Sequence, residues 1–340
     1  MRTLHGTHTR SDEHVSDDGT TVRRAVPSRA LVTGASGFVG GWLTAAMRRD
    51  GMHVTALAMA PDPSHDAALH WEYGDLRDDA YVARAVDSAQ PDVVVHLAAI
   101  SHVPTADAEP ALAWDVNVTS TARLLHQVAR FREAGRADPT VLLVGSAEQY
   151  GRHDAGEFPL AETARLEPRT VYAATKAAQE TLGLQLWRAT GLRVIAARSF
   201  NHSGRGQEAR FLLPALVARA IALREAPAGS PLSLGNTTPI RDFLHVSDVV
   251  AAYISLCRQG TPGEVYNVAS GTGWSVAALV ERVLARVGID APLAADAALE
   301  RSVDVPVLIG NPGKLQHATG WRATQSLDDI IDDLINAATH

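Results

Sequence analysis

Residues 30–47 read ALVTGASGFVGGWLTAAM, in which a short apolar segment, a glycine-rich segment and an apolar helical pattern follow one another directly. The first four residues predict a buried strand, and Trp42 to Met47 predict a helix. A glycine-rich turn between a strand and a helix is typical of a pyrophosphate-binding loop, since glycine lets the backbone approach the ligand closely. We therefore expect this stretch to open a dinucleotide-binding sheet.

Strand and helix patterns alternate along the chain after residue 50. Strand patterns lie at 53–58, 92–99, 141–144 and 193–197, and helical patterns lie at 81–88, 111–131 and 172–189. The segment 92–99, DVVVHLAA, is continuously apolar, as expected of a strand buried on both faces. This order predicts an α/β fold, a doubly wound parallel sheet of the Rossmann type with helices on both faces.

The chain divides into three predicted parts. Residues 1–28 are polar and aperiodic, and we expect a disordered tail. Residues 29–200 are predicted to form the dinucleotide-binding domain, with some later segments returning to it. Residues 201–340 carry shorter elements, including helices at 211–224, 247–258 and 326–338 and a strand near Leu232, and are predicted to form a smaller C-terminal α/β lobe that binds substrate.

Composition excludes several classes of protein. The 340 residues are 46% hydrophobic and 20% charged, so the chain can bury a core. The net charge of −7 gives no basic field for nucleic acid. The single cysteine, Cys257, is incompatible with an internal disulfide or a thiolate metal site and fits a reducing cytoplasm; we expect no metal. No apolar run approaches the roughly 18 residues that span a bilayer, so no membrane partner is expected.

The glycines at 34, 37 and 40 predict where a cofactor binds. The helix that follows them offers unpaired amide groups to phosphates. Asp75 and Leu76 follow another probable strand, where a carboxylate fits an adenine amino group, and 97–99 end a strand with small residues beside the cofactor. The second strand ends ALAMA at 56–60, without the acidic residue typical of NAD or the arginine typical of NADP, and Asp62 lies further into the loop. The choice between NAD and NADP stays open.

Tyr172 and Lys176 are four residues apart on a predicted helix, so their side chains leave the same face. An ammonium one turn away is expected to lower the pKa of the phenol and let it exchange a proton with a sugar hydroxyl. Ser146 follows the buried strand VLLVG and can hydrogen-bond both substrate and Tyr172. Glu148 is a candidate general base or sugar ligand. No GxSxG motif surrounds Ser146, which argues against a hydrolase triad.

With these residues in place, the chain resembles the extended short-chain dehydrogenase/reductase family, in its nucleotide-sugar branch, over about residues 29–338. The matching features are GxxGxxG at 34–40, the Ser146, Tyr172 and Lys176 trio, and Asn117 in DVNVTST. The segments RSFNHSGRGQ at 198–207, RDF at 241–243 with HVSDVV, and GEVYNVASG resemble GDP-4-keto-6-deoxymannose reductases and GDP-mannose 4,6-dehydratases. Arg205 departs from the pattern, because a proline is usual there.

The resemblance implies a role for each matching position. Cofactor contacts are implied for Gly34, Ser36, Gly37, Phe38, Val39, Gly40, Asp75, Leu76, Leu97, Ala98, Ala99, Tyr172, Lys176 and Ser199. Substrate contacts are implied for His102, Asn201, Arg210, Arg241 and Arg301, with Arg241 and Arg301 pairing the diphosphate. It also implies a homodimer formed through the helices at 111–131 and 172–189.

Three reactions share this scaffold, and the residues favour one. A reductase needs only Ser146, Tyr172 and Lys176 with exchangeable NAD(P)H. A 4,6-dehydratase also needs an acid and a base near Ser146, where this chain has Ala147 and Glu148. A 4-epimerase needs a retained cofactor and room for the sugar to rotate. FNHSGRGQ and Ala147 favour reduction of a GDP-linked 4-keto-6-deoxyhexose. A non-catalytic NAD(P)-binding sensor is the alternative from another class, although such proteins commonly lose the tyrosine or lysine.

Overall fold

The computed structural model describes residues 13–15, 21–23, 28–227, 229–299 and 305–339. Within the predicted tail, Glu13–Val15 and Thr21–Arg23 pair as antiparallel strands. The rest of that prediction, and the substrate role predicted for Arg301, fall on residues outside the described part.

The described chain contains fifteen strands and eleven α-helices. The strands are β1 (Glu13–Val15), β2 (Thr21–Arg23), β3 (Arg29–Thr33), β4 (His53–Ala58), β5 (His70–Tyr73), β6 (Val93–His96), β7 (Thr140–Ser146), β8 (Arg193–Ser199), β9 (Asn201–Ser203), β10 (Leu232–Leu234), β11 (Ile240–His245), β12 (Val265–Val268), β13 (Gly273–Ser275), β14 (Leu293–Ala295) and β15 (Val307–Leu308). The α-helices are α1 (Phe38–Arg49), α2 (Asp79–Ala89), α3 (Val103–Ala108), α4 (Pro110–Trp114), α5 (Ser120–Glu133), α6 (Val171–Thr190), α7 (Leu212–Ala222), α8 (Val246–Gln259), α9 (Val276–Val287), α10 (Gly313–Thr319) and α11 (Leu327–Thr339).

Seven parallel strands form the main sheet in the order β12-β8-β7-β6-β3-β4-β5. The central strand β6, VVVH, is buried along its whole length, which explains its continuously apolar sequence. Helices α1 and α8 pack on one face through side chains such as Leu43 and Leu256, and α2 and α5 pack on the other through Val82 and Leu124. Each such side chain contributes about 1.5–3 kcal/mol on burial. The doubly wound α/β fold is confirmed.

The second lobe is built on smaller sheets. Strand β11 pairs with β13, β15 and β9, and β10 pairs with β14. Helices α7, α9 and α11 share an apolar core of their own. Strand β12 comes late in the chain and still pairs with β8 in the main sheet.

The predicted helix at 111–131 is interrupted. It consists of α4, a π-helical turn at Asp115–Thr119, and α5. Asn117 lies in this turn and is fully buried; its amide bonds the backbone of Ile100 and the hydroxyl of Thr175. Through Asn117 the turn therefore links α6 to the segment after β6. A regular helix would point this side chain in a different direction.

None of the helices in the described part of the chain has the length and apolar character needed to cross a bilayer.

Candidate active site

A cavity of about 1120 Å³ lies between the main sheet and the second lobe. It is lined by residues at or just beyond the carboxyl ends of β3, β4, β6, β7 and β8. Because these strands are parallel, their carboxyl ends meet at one edge, which is where open α/β sheets bind ligands.

The glycine turn forms one wall of this cavity. Gly34 has φ +66°, and a Cβ there would lie 2.8 Å from the backbone nitrogen of Ala98. A Cβ on Gly40 would lie 2.3 Å from the carbonyl oxygen of Gly34. Both positions therefore require glycine, the first for the turn and the contact with 97–98, the second for packing α1 onto it. No side chain among the described residues caps the N-terminus of α1.

This wall fits a dinucleotide. The amide groups of the first turn of α1 are left for a ligand and carry the positive end of the helix dipole. Small residues, Ala98 and Ala99, line the cavity beside the turn. The backbone can therefore hold a pyrophosphate at the turn while the rest of a dinucleotide lies along the strand ends.

Helix α6 carries Tyr172 and Lys176 into the cavity. Its N-terminus is fixed by Thr170, whose hydroxyl accepts the amide of Ala173 at 3.1 Å, and by Asp107, which accepts the amide of Val171 at 2.9 Å. Lys176 is 3% exposed, and its ammonium donates to the carbonyl of Val144 at 2.8 Å and to Oε1 of Gln179 at 2.9 Å. Counting acceptors in the described residues only, one of its three N–H groups is left for a ligand.

Ser146 ends β7 directly opposite Ser199 on β8. Its hydroxyl adjoins the phenol of Tyr172, where it opposes the effect of burial on the phenol pKa, and it accepts the amide of Glu148 at 3.2 Å. Its own amide donates to Oε1 of Gln149 at 2.8 Å. Ser146 and Tyr172 therefore present adjoining hydroxyl groups at the strand edge, with Glu148 lining the same cavity.

The pKa values of Tyr172 and Lys176 differ from the prediction. Burial raises the pKa of Tyr172 to about 12; the hydrogen bond from Ser146 opposes this rise and the charge of Glu148 adds to it. Burial also lowers the pKa of Lys176 to about 7. The predicted lowering of the phenol pKa by Lys176 is wrong for this structure, because desolvation of the buried phenol dominates and raises that pKa.

At the adenosine end, Asp75 is paired. Its carboxylate accepts from Arg77 Nη2 at 2.6 Å and Nε at 2.9 Å, and this bond holds the pKa of Asp75 below its usual value. Met59, which follows β4, is 66% exposed and lines the cavity. Asp62 is not among the lining residues, and its carboxylate accepts the amide and hydroxyl of Ser64.

At the opposite end, polar and cationic side chains line the second lobe. The buried side-chain amide nitrogen of Asn201 has no hydrogen-bond partner among the described residues. Arg210 pairs with Glu208 at 2.9 Å, and the buried Arg241 donates to the carbonyl of Ile240. His102 hydrogen-bonds the hydroxyl of Thr105 at 2.9 Å. This end can therefore bind an anionic group.

The predicted site residues that the structure describes lie together in this one cavity. The lining includes Gly34, Ser36, Gly37, Phe38, Val39, Gly40, Asp75, Leu76, Leu97, Ala98, Ala99, His102, Ser146, Glu148, Tyr172, Lys176, Ser199, Asn201, Arg210 and Arg241. Lining residues that the sequence did not single out include Arg77, Arg219 and Tyr253. The hydroxyl of Tyr253 lies 2.6 Å from that of Ser199. Arg77 adjoins the predicted Asp75, whereas Tyr253 lies in an apolar helix whose sequence does not distinguish it from core.

Comparisons with known proteins agree with this geometry. Residues 31–334 match the family model described as GDP-mannose 4,6 dehydratase. GDP-6-deoxy-D-mannose reductase of Pseudomonas aeruginosa is 32% identical over 310 residues, which cover 90% of this chain and 96% of that relative. UDP-glucose 4-epimerase of Streptococcus mutans is 27% identical over 88% of this chain and 92% of that relative.

A solved structure covers a similar share of the chain. The structure described as RMD from Pseudomonas aeruginosa complexed with NADPH has a TM-score of 0.78 and 28% identity, and covers 92% of this chain and 99% of that one. These matches span both lobes of the fold.

Proposed function

Because the chain belongs to the GDP-mannose 4,6 dehydratase family, we propose that it reduces the 4-keto group of a GDP-linked 4-keto-6-deoxyhexose with NAD(P)H. The observation that carries the proposal is the Ser146–Tyr172 pair, in which the phenol stays protonated beside a cavity of about 1120 Å³. The similarity of this chain to the reductase of Pseudomonas aeruginosa, which extends across both lobes, supports the same reaction.

In the proposed reaction Tyr172 is the proton donor. It gives its phenolic proton to the carbonyl oxygen as that oxygen becomes an alkoxide, which is a stronger base than a phenolate, so the transfer is favourable at a pKa of about 12. Ser146 donates a hydrogen bond to the same oxygen and stabilises its growing charge. Lys176 would hold a ribose hydroxyl of the nicotinamide cofactor with its remaining N–H group. Bound NAD(P)H supplies the hydride. Solvent returns a proton to Tyr172 after each turnover.

For the substrate we propose a diphosphate held at the second lobe. The amide nitrogen of Asn201, which is buried and has no partner in the described part of the chain, is a donor that a phosphate or sugar oxygen would satisfy. Arg210 and Arg241 supply guanidinium groups, which match phosphate oxygens in geometry and charge. Guanine as the base rests on the family and on the reductase relative.

The alternative reactions use the same cavity. A 4,6-dehydratase would use Glu148, the carboxylate next to Ala147, for elimination, and a 4-epimerase would retain its cofactor and release no reduced sugar. The similarity to the relative named UDP-glucose 4-epimerase supports epimerisation as an alternative reaction. A non-catalytic sensor is the least favoured alternative, because Ser146, Tyr172 and Lys176 all line the cavity.

For the cofactor we propose NADPH over NADH. Strand β4 is followed by Met59 with no carboxylate there to bind the ribose 2′-hydroxyl, and Arg77 lines the cavity beside Asp75. We expect Arg77→Gln to raise the Kd for NADPH about tenfold and to change that for NADH less than threefold, measured by calorimetry. Equal losses for both cofactors would contradict this preference.

We also propose a cytoplasmic homodimer formed through α5 and α6. Trp114, which ends α4 and is followed by the π-helical turn that leads into α5, is 42% exposed, and an interface would cover it. Native mass spectrometry should show a dimer, and Trp114→Arg should shift it to monomer.

Stoichiometry tests the proposed reaction. Purified protein is given the GDP-4-keto-6-deoxyhexose and NADPH, and the nicotinamide absorbance is followed. We expect one NADPH to be oxidised per keto sugar reduced. Product formation from GDP-mannose without net cofactor loss would identify a dehydratase, and interconversion of sugar epimers without cofactor loss would identify an epimerase.

A further inference from the structure

A buried chain of hydrogen bonds begins at the backbone of Ser146. The Ser146 amide donates to Oε1 of Gln149 at 2.8 Å, and Nε2 of Gln149 donates to Oε2 of Glu180 at 3.1 Å. Gln149 is fully buried. Because its amide group accepts at one end and donates at the other, Glu180 fixes which way that amide faces.

Glu180 is itself held by Arg198. Nε of Arg198 donates to Oε2 of Glu180 at 2.9 Å, and Nη2 donates to Oε1 at 2.7 Å. The side chains are 7% and 6% exposed, so this is a buried two-point ion pair. The third nitrogen of Arg198 donates to the hydroxyl of Tyr150 at 2.9 Å, and the guanidinium lies 4.8 Å from the centre of that ring. These bonds therefore hold the Arg198 guanidinium in one orientation against the Glu180 carboxylate.

The chain of hydrogen bonds joins the three elements that carry the site. Glu180 lies on α6 one turn beyond Lys176, Arg198 precedes Ser199 on β8, and Gln149 follows Glu148 after β7. Glycine at position 145 leaves room for the Gln149 side chain. A Cβ there would lie 2.4 Å from Oε1 of Gln149.

We propose that Gln149, Glu180 and Arg198 are positioning residues that hold the Ser146 hydroxyl against Tyr172. A buried ion pair is a weak source of net stability, since desolvation offsets its Coulomb attraction, and an apolar core would serve the fold as well. A directed chain that ends at the serine amide is what orientation of a reacting hydroxyl requires. The inference rests on the proposed function only for its kinetic readout.

A double-variant cycle tests the chain. Gln149→Leu removes the acceptor for Ser146 and leaves the ion pair, and Glu180→Gln removes the charge that orients Gln149. We expect each to lower kcat about tenfold with KM changed less than threefold. In the double variant kcat should equal that of Gln149→Leu alone, because Glu180 acts through Gln149. Losses of kcat that multiply would overturn the proposal. If Glu180→Gln does not fold, Gln149→Leu alone decides: an unchanged kcat overturns it.

A readout without turnover separates this proposal from the proposed function. With tyrosine labelled at its ring carbon and Tyr172 assigned through Tyr172→Phe, NMR reports the pKa of its phenol. We expect Gln149→Leu to raise that pKa, because the Ser146 hydrogen bond that opposes the effect of burial is weakened. An unchanged pKa would overturn the positioning role even if the protein reduced no keto sugar; a raised pKa without turnover would contradict the proposed function alone.

A matched control accounts for lost stability. Asp248 is also buried, and its carboxylate accepts from Thr324 and Gln325 away from the cavity lining. Asp248→Asn should lower Tm as Glu180→Gln does and leave kcat unchanged. If Asp248→Asn lowers kcat as much, the kcat losses report stability and the proposal fails.

Discussion

The hydroxyl of Ser146 adjoins the phenol of Tyr172, whose pKa burial raises to about 12 against the opposing effect of that hydroxyl. A phenol in that state is an acid that keeps its proton at neutral pH and releases it only to a strong base. The pair is therefore suited to protonating an alkoxide, which is the step that a carbonyl reductase requires.

Tyr172→Phe should abolish turnover and spare cofactor binding. We expect kcat to fall at least about 100-fold, because the proton donor is lost, and the Kd for NADPH to change less than threefold. Tyr81→Phe is the matched control, since it removes a buried hydroxyl that donates to the carbonyl of Glu72 away from the cavity lining. Unchanged turnover in Tyr172→Phe would exclude the role assigned to it.

Glu148→Gln should separate reduction from dehydration. Reduction draws its proton from Tyr172, so we expect reductase kcat to stay within about tenfold of the parent. A dehydratase would need that carboxylate as its base. A loss of activity as large as that of Tyr172→Phe would favour the dehydratase assignment over ours.

Lys176→Met should change how stability depends on pH in the cofactor-free protein. Burial lowers the pKa of Lys176 from 10.5 to about 7, so between these values the unfolded chain binds a proton that the folded chain does not. The free energy of unfolding therefore rises with pH through this window, by at most about 1.4 kcal/mol per pH unit from this group, and the contribution is lost as pH falls towards 7.

Denaturant unfolding of parent and variant at pH 7 and pH 9 checks this prediction. The difference in unfolding free energy between the two proteins should move by about 2–3 kcal/mol in favour of the lysine at pH 9. The hydrogen bonds to Val144 and Gln179 that Met lacks affect both pH values and largely cancel. A difference independent of pH would contradict the assigned pKa.

Arg205→Pro tests the position where the sequence departs from the family pattern. The amide of Arg205 donates to Asp333 on α11 at 2.6 Å, and its carbonyl accepts from the indole of Trp42 on α1 at 3.0 Å. Proline removes the first bond, so we expect a loss of about 1–3 kcal/mol in unfolding free energy and a severalfold higher KM for the sugar nucleotide.

Arg205→Ala is the control for that variant. It keeps the amide and removes only the guanidinium, which lies 5.6 Å from the centre of the Trp42 ring. The loss should be smaller than for proline. Equal losses would show that the side chain, and not the amide, fixes this loop.

The main sheet was predictable because its signals are local. The glycine turn lies between two apolar segments, and the strands at 92–99 and 141–144 carry apolar runs that only burial on both faces explains. The four-residue spacing of Tyr172 and Lys176 likewise placed both on one helix face. Helix α9 was missed although its apolar residues, Val276, Leu279, Val280, Val283 and Val287, follow the helical period.

Features that depend on tertiary contacts could not be predicted. Strand β12 joins β8 across more than sixty residues of sequence, and the π-helical turn at Asp115–Thr119 leaves no distinct pattern. The pKa of Tyr172 follows from burial by residues of several elements. Gln149 and Glu180 have ordinary sequence contexts, and only the folded structure brings them into contact.

Isotope transfer tests the central claim most directly. The protein is given a GDP-4-keto-6-deoxyhexose with NADPH deuterated at the transferring position of its nicotinamide, and the sugar product is analysed by mass spectrometry and NMR. We predict one deuterium bound to C4 of the product and one oxidised cofactor per sugar. Conversion of the sugar without deuterium at C4 would contradict the assignment as a reductase.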